Sequence, residues 1–491
     1  MLAYHPISDL RFKFDRLESQ YHKDPVPAVN ERKRLLGLLR SELVKHQTEL
    51  LAALSDDYGH RSEYDSLLGD ILSAVEQIDH NLTYFPRWMK PQRRRAGLLL
   101  WPSRVHVESR PVGIVGIMVP WNFPISLAVG PLSAALAAGN RVMLKMSELT
   151  PQTNKVLAKV LLPFNDHVAL VEGDVAVART FAELPFGHLL FTGSTQVGRL
   201  VAEACAKNLT PTTLELGGKS PVFVDKSADL DKAIDAIIFG KTLNAGQICI
   251  APDYVMLPRT WTDRFCQRFV ARCRELDEQG ALLSHYSSII NAEHFSRLQS
   301  LIDDAKSKGA KVIEITASPK PAANSDEANL DNINVIRPAS EVENTRPRIM
   351  LPKLIINPTP AMRVCQEEIF GPLLPIIEYH STDAAIDYIN HNPKPLALYI
   401  MSGEKHATRY LLNHITSGGV CVNDTLMHIS AVSAPFGGVG ASGWGRYHGK
   451  EGFLAFSHQR TQLHTPKWLP RAGWVLGYRN AFINVVKRWF I

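Results

Sequence analysis

Residues 111–140, PVGIVGIMVPWNFPISLAVGPLSAALAAGN, carry no charged side chain, and the reading of this stretch decides the fold. It is long enough to cross a bilayer, for which about 20 apolar residues suffice. Against a membrane span, Pro120, Pro124 and Pro131 interrupt it, with Asn122 between the first two. Proline lacks a backbone N–H and breaks or kinks a helix interior. A β-rich run over Gly113–Val119, a turn, and a small-residue helix over Ile125–Ala138 account for the pattern without lipid.

The same alternation continues outward. RVMLK (141–145), a helix and HVALVEG (167–173) follow, then HLLFTG (188–193), TTLELGG (212–218) and PVFVD (221–225). Strands alternating with helices predict an α/β fold with a doubly wound parallel sheet and a ligand at the strand C-termini. A second α/β series starts near Asp229 and runs to about residue 405. Upstream, residues 1–85 show helical spacing through NERKRLLGLLRSELVKHQTELLAAL and DSLLGDILSAVEQIDHNLTYF. The cluster Arg93-Arg94-Arg95 leads into LLLWPSRVHVESRP, an extended arm or hairpin. Residues 315–335 read as a surface loop.

A chain of 491 residues predicts two or three domains. Its six cysteines (Cys205, Cys249, Cys266, Cys273, Cys365, Cys421) are scattered, without C-x-x-C or zinc-ligand spacing, which argues against a disulfide framework, a thiol-redox protein and a metal site. They favour a reducing, cytoplasmic compartment, and the N-terminus lacks the apolar core of a secretory signal. The net charge is +6, yet after Glu451 there is no acid, while Arg460, Lys467, Arg471, Arg479, Lys487 and Arg488 follow. The whole excess lies in the tail, so a neutral body argues against a nucleic-acid surface.

Individually, the motifs are ambiguous. Phe191-Thr192-Gly193-Ser194-Thr195-Gln196-Val197-Gly198 joins a strand to a helix, either as a phosphate cradle or as a plain turn. Lys145 and Glu148 end another strand, either to hold a ribose or as a solvated pair. Glu215 beside Leu216, Gly217 and Gly218 is either a general base or a loop acid. Cys249 lies in NAGQIC, and a lone cysteine is more often a buried apolar side chain than a nucleophile. Glu367-Glu368-Ile369-Phe370-Gly371-Pro372 and the Trp121-Asn122 pair are unremarkable separately.

In order, however, PWNFP (120–124), KMSE (145–148), FTGSTQVG (191–198), ELGGK (215–219), GQIC (246–249), EEIFGP (367–372) and PFGG (435–438) resemble the aldehyde dehydrogenase superfamily across nearly the whole chain. The spacing of 34 residues between Glu215 and Cys249 matches that family's base and nucleophile. TPTTLELGGKSPVFVD and CIAPDYV resemble its class 3 branch, which includes fatty aldehyde dehydrogenases and bacterial coniferyl aldehyde dehydrogenases.

The resemblance implies a Rossmann-like NAD-binding domain over 1–85 and 104–215, and a catalytic domain over 216–405. An oligomerisation arm over 86–103 and 406–460 and a C-terminal extension over 461–491 complete it. It implies Cys249 as nucleophile, Glu215 as the base that hydrolyses a thioester, and Asn122 with the Cys249 backbone N–H as the oxyanion site. Trp121, Lys145, Glu148, Gly193, Ser194, Gly198, Leu216, Glu368 and Phe370 would hold the cofactor, NAD by the lean of Glu148, with NADP also accepted by many relatives. The expected substrate is an aromatic (coniferyl-like) or medium- to long-chain aliphatic aldehyde, the product its carboxylate, and the assembly a homodimer. The competing expectation is a non-catalytic relative kept for binding or structure; loss of the cysteine or the acid would mark it, and both are present. The tail WLPRAGWVLGYRNAFINVVKRWFI mixes aromatics with cations, so it is read first as a packed or gating helix and second as a contact with an anionic membrane surface.

Overall fold

The computed structural model describes residues 6–315 and 347–489; most of the loop expected at 315–335 lies outside them. The stretch that decided the fold forms a strand, Ile114–Met118, and a helix, Ser126–Ala138. Among the described residues no helix is long and apolar enough to cross a membrane. The helix is buried on nearly all sides because its Ala, Gly and Ser residues let neighbours approach closely: a Cβ at Gly130 would lie 2.2 Å from the Gln77 amide oxygen. Buried Arg32 caps its C-terminus, donating to Ala137 O (3.0 Å) and to Pro27 O (2.9 Å).

Two large sheets and one ribbon organise the chain. The six-stranded sheet runs Gly443–Trp444, Thr212–Leu216, His188–Gly193, Ile114–Met118, Arg141–Lys145, Val168–Val171, parallel except for the first. Its order reverses at Ile114–Met118, where a doubly wound sheet opens its crevice. The seven-stranded sheet runs Lys311–Glu314, Lys353–Ile356, Leu373–Tyr379, Tyr254–Pro258, Pro221–Val224, Ala397–Met401, Gly419–Val422, with only the first antiparallel. A three-stranded antiparallel ribbon joins Gln92–Arg94, Arg104–Pro111 and Ser457–His464.

Strand pairing links segments distant in the chain. Residues 104–111, in the stretch read as an extended arm or hairpin, pair along their length with 457–464. Residues 406–456 contribute to both large sheets instead. Gly419–Val422 extends the seven-stranded sheet in parallel, Gly443–Trp444 closes an edge of the six-stranded sheet, and helix Gly449–Ala455 packs on helix Ser126–Ala138. The physical reason is that strand–helix–strand continuation past residue 405 preserves the parallel ladder. The tail proper therefore starts after His464, and holds the short helices Arg471–Gly477 and Arg479–Trp489. Arg471 ties it to the arm through Leu100 O (2.7 Å) and Ser103 Oγ (2.9 Å).

Candidate active site

Helix Leu230–Thr242 ends in a turn that ordinary residues avoid: Asn244, Ala245 and Gly246 have φ of 49°, 52° and 69°. Left-handed backbone at two non-glycine residues is strained and persists only where neighbours enforce it. Here Asp65 Oδ2 accepts the Asn244 N–H (3.0 Å). The Gln247 amide donates to Asn244 O (3.0 Å) and Ser288 O (3.1 Å), and its Oε1 accepts the Ile290 N–H (3.0 Å). Gly246 admits no side chain, since a Cβ would lie 2.7 Å from Gly371 O. The turn thus presents Cys249, partly exposed, on the wall of a mainly apolar cavity of about 100 Å³ shared with Asn122, Phe123, Leu127, Phe239 and Tyr447.

The buried Asn122 amide donates to Gln247 O (3.1 Å), two residues before the cysteine. Its second amide hydrogen belongs to the same NH₂ group, so an oxyanion formed at Cys249 meets a donor already fixed in place. Burial, then the charges of Glu368 and Glu215, push the Cys249 thiol up to about 12.

Glu215 is the penultimate residue of strand Thr212–Leu216, is 3% exposed, and neither carboxylate oxygen has a hydrogen-bond partner. Burial alone raises its pKa well above the carboxylate range. Gly443 makes this possible: at φ 126° its strand closes on Glu215, where a Cβ would collide with Leu214 O at 1.9 Å. A desolvated, unpaired carboxyl close to a nucleophile suits a general base.

Glu368 lies over the Gly217-Gly218 turn; a Cβ at Gly217 would fall 2.0 Å from its Oε2. Burial and then Asp253 raise its pKa to about 8, while the Gly218 N–H, Lys219 and Arg297 oppose the rise. Phe370, at φ 47°, meets Trp121 edge-on at 5.4 Å, and Trp121 in turn meets His294 at 5.0 Å. A hub that the sequence reading left without a role fixes this loop. Lys219 Nζ pairs with Asp253 and donates to Val364 O (2.7 Å) and Glu367 O (3.0 Å), and Asp253 Oδ2 accepts the Ile369 N–H (2.8 Å). Both residues sat inside the quoted motifs ELGGK and CIAPDYV. Tyr447 and His448, also on the cavity wall, had no pattern to flag them.

The remaining expected residues gather along the C-terminal edge of the six-stranded sheet. Lys145 is buried, donates to Met146 O (2.8 Å) and reaches exposed Glu148 at 3.3 Å. Ser194 caps helix Thr195–Ala206 by accepting the Val197 N–H (3.3 Å). Gly198 lets that helix close on Leu216, since a Cβ would lie 2.5 Å from Leu216 Cδ2, and Gly193 sits against Phe191. A capped helix N-terminus, a Lys–Glu pair and a strand-order reversal together fit a dinucleotide.

The six-stranded, mainly parallel sheet with its strand-order reversal, and a cavity that holds a cysteine beside a buried amide, suit an enzyme that binds a dinucleotide next to a thiol. The chain belongs to the aldehyde dehydrogenase family, whose profile matches residues 26–329 and 326–462, and it is an aldehyde-oxidising enzyme using a nicotinamide cofactor. It is 42% identical over 459 residues to the coniferyl aldehyde dehydrogenase of a Pseudomonas species, covering 91% of this chain and 89% of that one. It is 37% identical over 451 residues to mouse aldehyde dehydrogenase family 3 member A2, covering 91% and 87%, which agrees with the class 3 resemblance. The solved structure of Staphylococcus aureus AldH in a substrate-bound state superposes with a TM-score of 0.84 at 32% identity, covering 96% of this chain and 99% of that chain.

Proposed function

We propose that the enzyme oxidises a coniferyl-like aromatic aldehyde to its carboxylate, with Cys249 as nucleophile, Asn122 as oxyanion donor and Glu215 as the hydrolytic base. The observation that carries this reading is the shared cavity of Cys249 and Asn122, with the unpaired carboxyl of Glu215 buried close enough to act on the thiol. The Cys249 thiolate, its proton released to solvent, adds through Sγ to the carbonyl carbon, and the resulting oxyanion is held by Asn122 Nδ2 and the Cys249 backbone N–H. When bound, NAD supplies the two-electron oxidation that turns this adduct into a thioester. Glu215 then takes a proton from water, the water oxygen attacks the thioester, and the C–S bond breaks to restore the thiol. Lys145, Glu148, Gly193, Ser194 and Gly198 would hold the adenosine and pyrophosphate side, with Trp121, Leu216, Glu368 and Phe370 around the nicotinamide side.

In this scheme the six-stranded unit holds the cofactor, the seven-stranded unit carries the nucleophile, and the ribbon joins two copies into a cytoplasmic homodimer. The relative acting on coniferyl aldehyde supports the aromatic substrate. The Phe, Leu and Ile lining supports medium- to long-chain aliphatic aldehydes as the second choice. A cofactor-reduction screen over coniferyl aldehyde, benzaldehyde, octanal and hexadecanal decides: the highest kcat/KM is expected for coniferyl aldehyde, and a clear preference for hexadecanal would replace the reading. On the cofactor, the exposed carboxylate of Glu148 beside Lys145 repels a 2′-phosphate. NAD is expected to exceed NADP in kcat/KM, and Glu148→Gln to narrow the ratio by about tenfold. An unchanged ratio would free Glu148 of that part.

A further inference from the structure

The residues that do the chemistry stand on two loops from different parts of the chain, the Trp121–Ser126 turn and the strained Asn244–Gly246 turn. Both are held from behind by one helical segment near the N-terminus. Tyr58, fully buried, donates its hydroxyl to Asn122 O (3.1 Å) and Trp121 O (3.3 Å). Asp70 Oδ1 accepts the N–H groups of Ile125 (2.9 Å) and Ser126 (3.0 Å), while Oδ2 pairs with Arg61 at 2.9 Å, both side chains fully buried. The Arg61 guanidinium lies over the rings of Tyr58 (4.7 Å) and Phe123 (5.0 Å). Five residues before Asp70, Asp65 Oδ2 takes the Asn244 N–H and the Ser287 hydroxyl (2.5 Å). A π-helical stretch, Leu67–Leu72, begins just after Asp65 and contains Asp70, and such widened turns are frequent at functional sites. Gly69 leaves room for Phe123, whose ring would lie 2.3 Å from a Cβ there.

We infer that Tyr58, Asp65 and Asp70 are positioning residues for the reaction: one buried clamp sets the Asn122 amide against Cys249. The inference rests on the mechanism proposed above. Asp65 is the charged acceptor among the bonds that hold the strained turn, and without it φ at Asn244 and Ala245 can relax and the cysteine can move relative to Asn122. The two loops are also bonded to each other, through Asn244 Nδ2 to Asn122 O (3.2 Å) and Asn122 Nδ2 to Gln247 O, so displacement of one reaches the other. An oxyanion donor displaced by about 1 Å costs on the order of 10²-fold in rate.

The test is a double-mutant cycle in the full-length enzyme. Tyr58→Phe removes one hydroxyl from a residue that does not line the Cys249 cavity, and Asp65→Ala removes the acceptor of the Asn244 N–H; each is a local truncation, and both variants are expected to fold. Each should lower kcat about tenfold, with KM for NAD changed less than about threefold. In an Asn122→Ala background the same changes should cost almost nothing further, because the residue they position is gone. Wild-type kcat in both variants, or losses that multiply fully with that of Asn122→Ala, would overturn the clamp. If wild-type enzyme instead showed no aldehyde-dependent cofactor reduction, the proposed function itself would fall. A variant that does not fold would leave the other cycle to decide.

Discussion

Cys249→Ala is expected to reduce aldehyde-dependent cofactor reduction by roughly 10⁴-fold or more, because the reaction then lacks the atom that forms the adduct. The pKa does not single this cysteine out. Burial pushes Cys249, Cys266 and Cys273 all up to about 12 and Cys205 up to about 11. Position does: Cys205, Cys266, Cys273 and Cys365 pack within hydrophobic cores, whereas Cys249 stands on the wall of the cavity that holds Asn122. Cys266→Ala and Cys273→Ala should therefore lower stability by cavity formation and leave kcat nearly intact. Intact-mass measurement after mixing with NAD and aldehyde should find an acyl adduct on wild-type enzyme and none on Cys249→Ala. Substantial turnover in Cys249→Ala would remove the covalent mechanism.

The contrast between these cysteines also explains what the sequence could and could not show. Short apolar runs located five strands of the six-stranded sheet and Pro221–Val224 of the seven-stranded one, because a strand buried on both faces reads locally as such a run; the other strands of the seven-stranded sheet were anticipated only as an α/β series. The Pro-broken run at 111–140 resolved into strand and helix for the same reason. The extended stretch ending at Pro111 was legible, but its partner was not, because a strand's partner is not a local property: nothing in Arg104–Pro111 points to Ser457–His464. Within the site, Glu215, Ser194 and Phe370 stood in turns that were each ambiguous alone, and only the ordered resemblance of their motifs singled them out. Asp65, Asp70 and Tyr58 lie in an ordinary amphipathic helical pattern, where an acid looks like a solvated face. Their burial comes from loops more than 50 residues away, as the contact of Tyr58 with Asn122 and of Asp65 with Asn244 makes plain. Lys219 and Asp253 fall between these cases, visible inside motifs but meaningful only once paired.

Glu215→Gln separates the two halves of the reaction. The amide preserves shape but accepts no proton, so acylation at Cys249 should survive and thioester hydrolysis should not. Rapid mixing is expected to show a burst of about one reduced cofactor per active site, followed by steady turnover reduced by about 10²- to 10⁴-fold. The same substitution carries a stability signature with a definite sign. Burial raises the folded-state pKa of Glu215 above its unfolded value near 4.3. Between those two values the native protein holds a proton that the unfolded chain has lost. Its contribution to stability is therefore full below the unfolded pKa and shrinks as pH rises. Glutamine bears no such penalty, so the Tm of Glu215→Gln relative to wild type should be nearly level at acid pH and climb toward neutrality. On the proposed mechanism the native residue tolerates that cost because pairing Glu215 with a cation would stabilise the fold but pull its pKa down and weaken it as a base. A Tm difference that did not vary with pH would show that the carboxyl is solvated or paired in solution. Unaltered steady turnover would show that water is activated elsewhere.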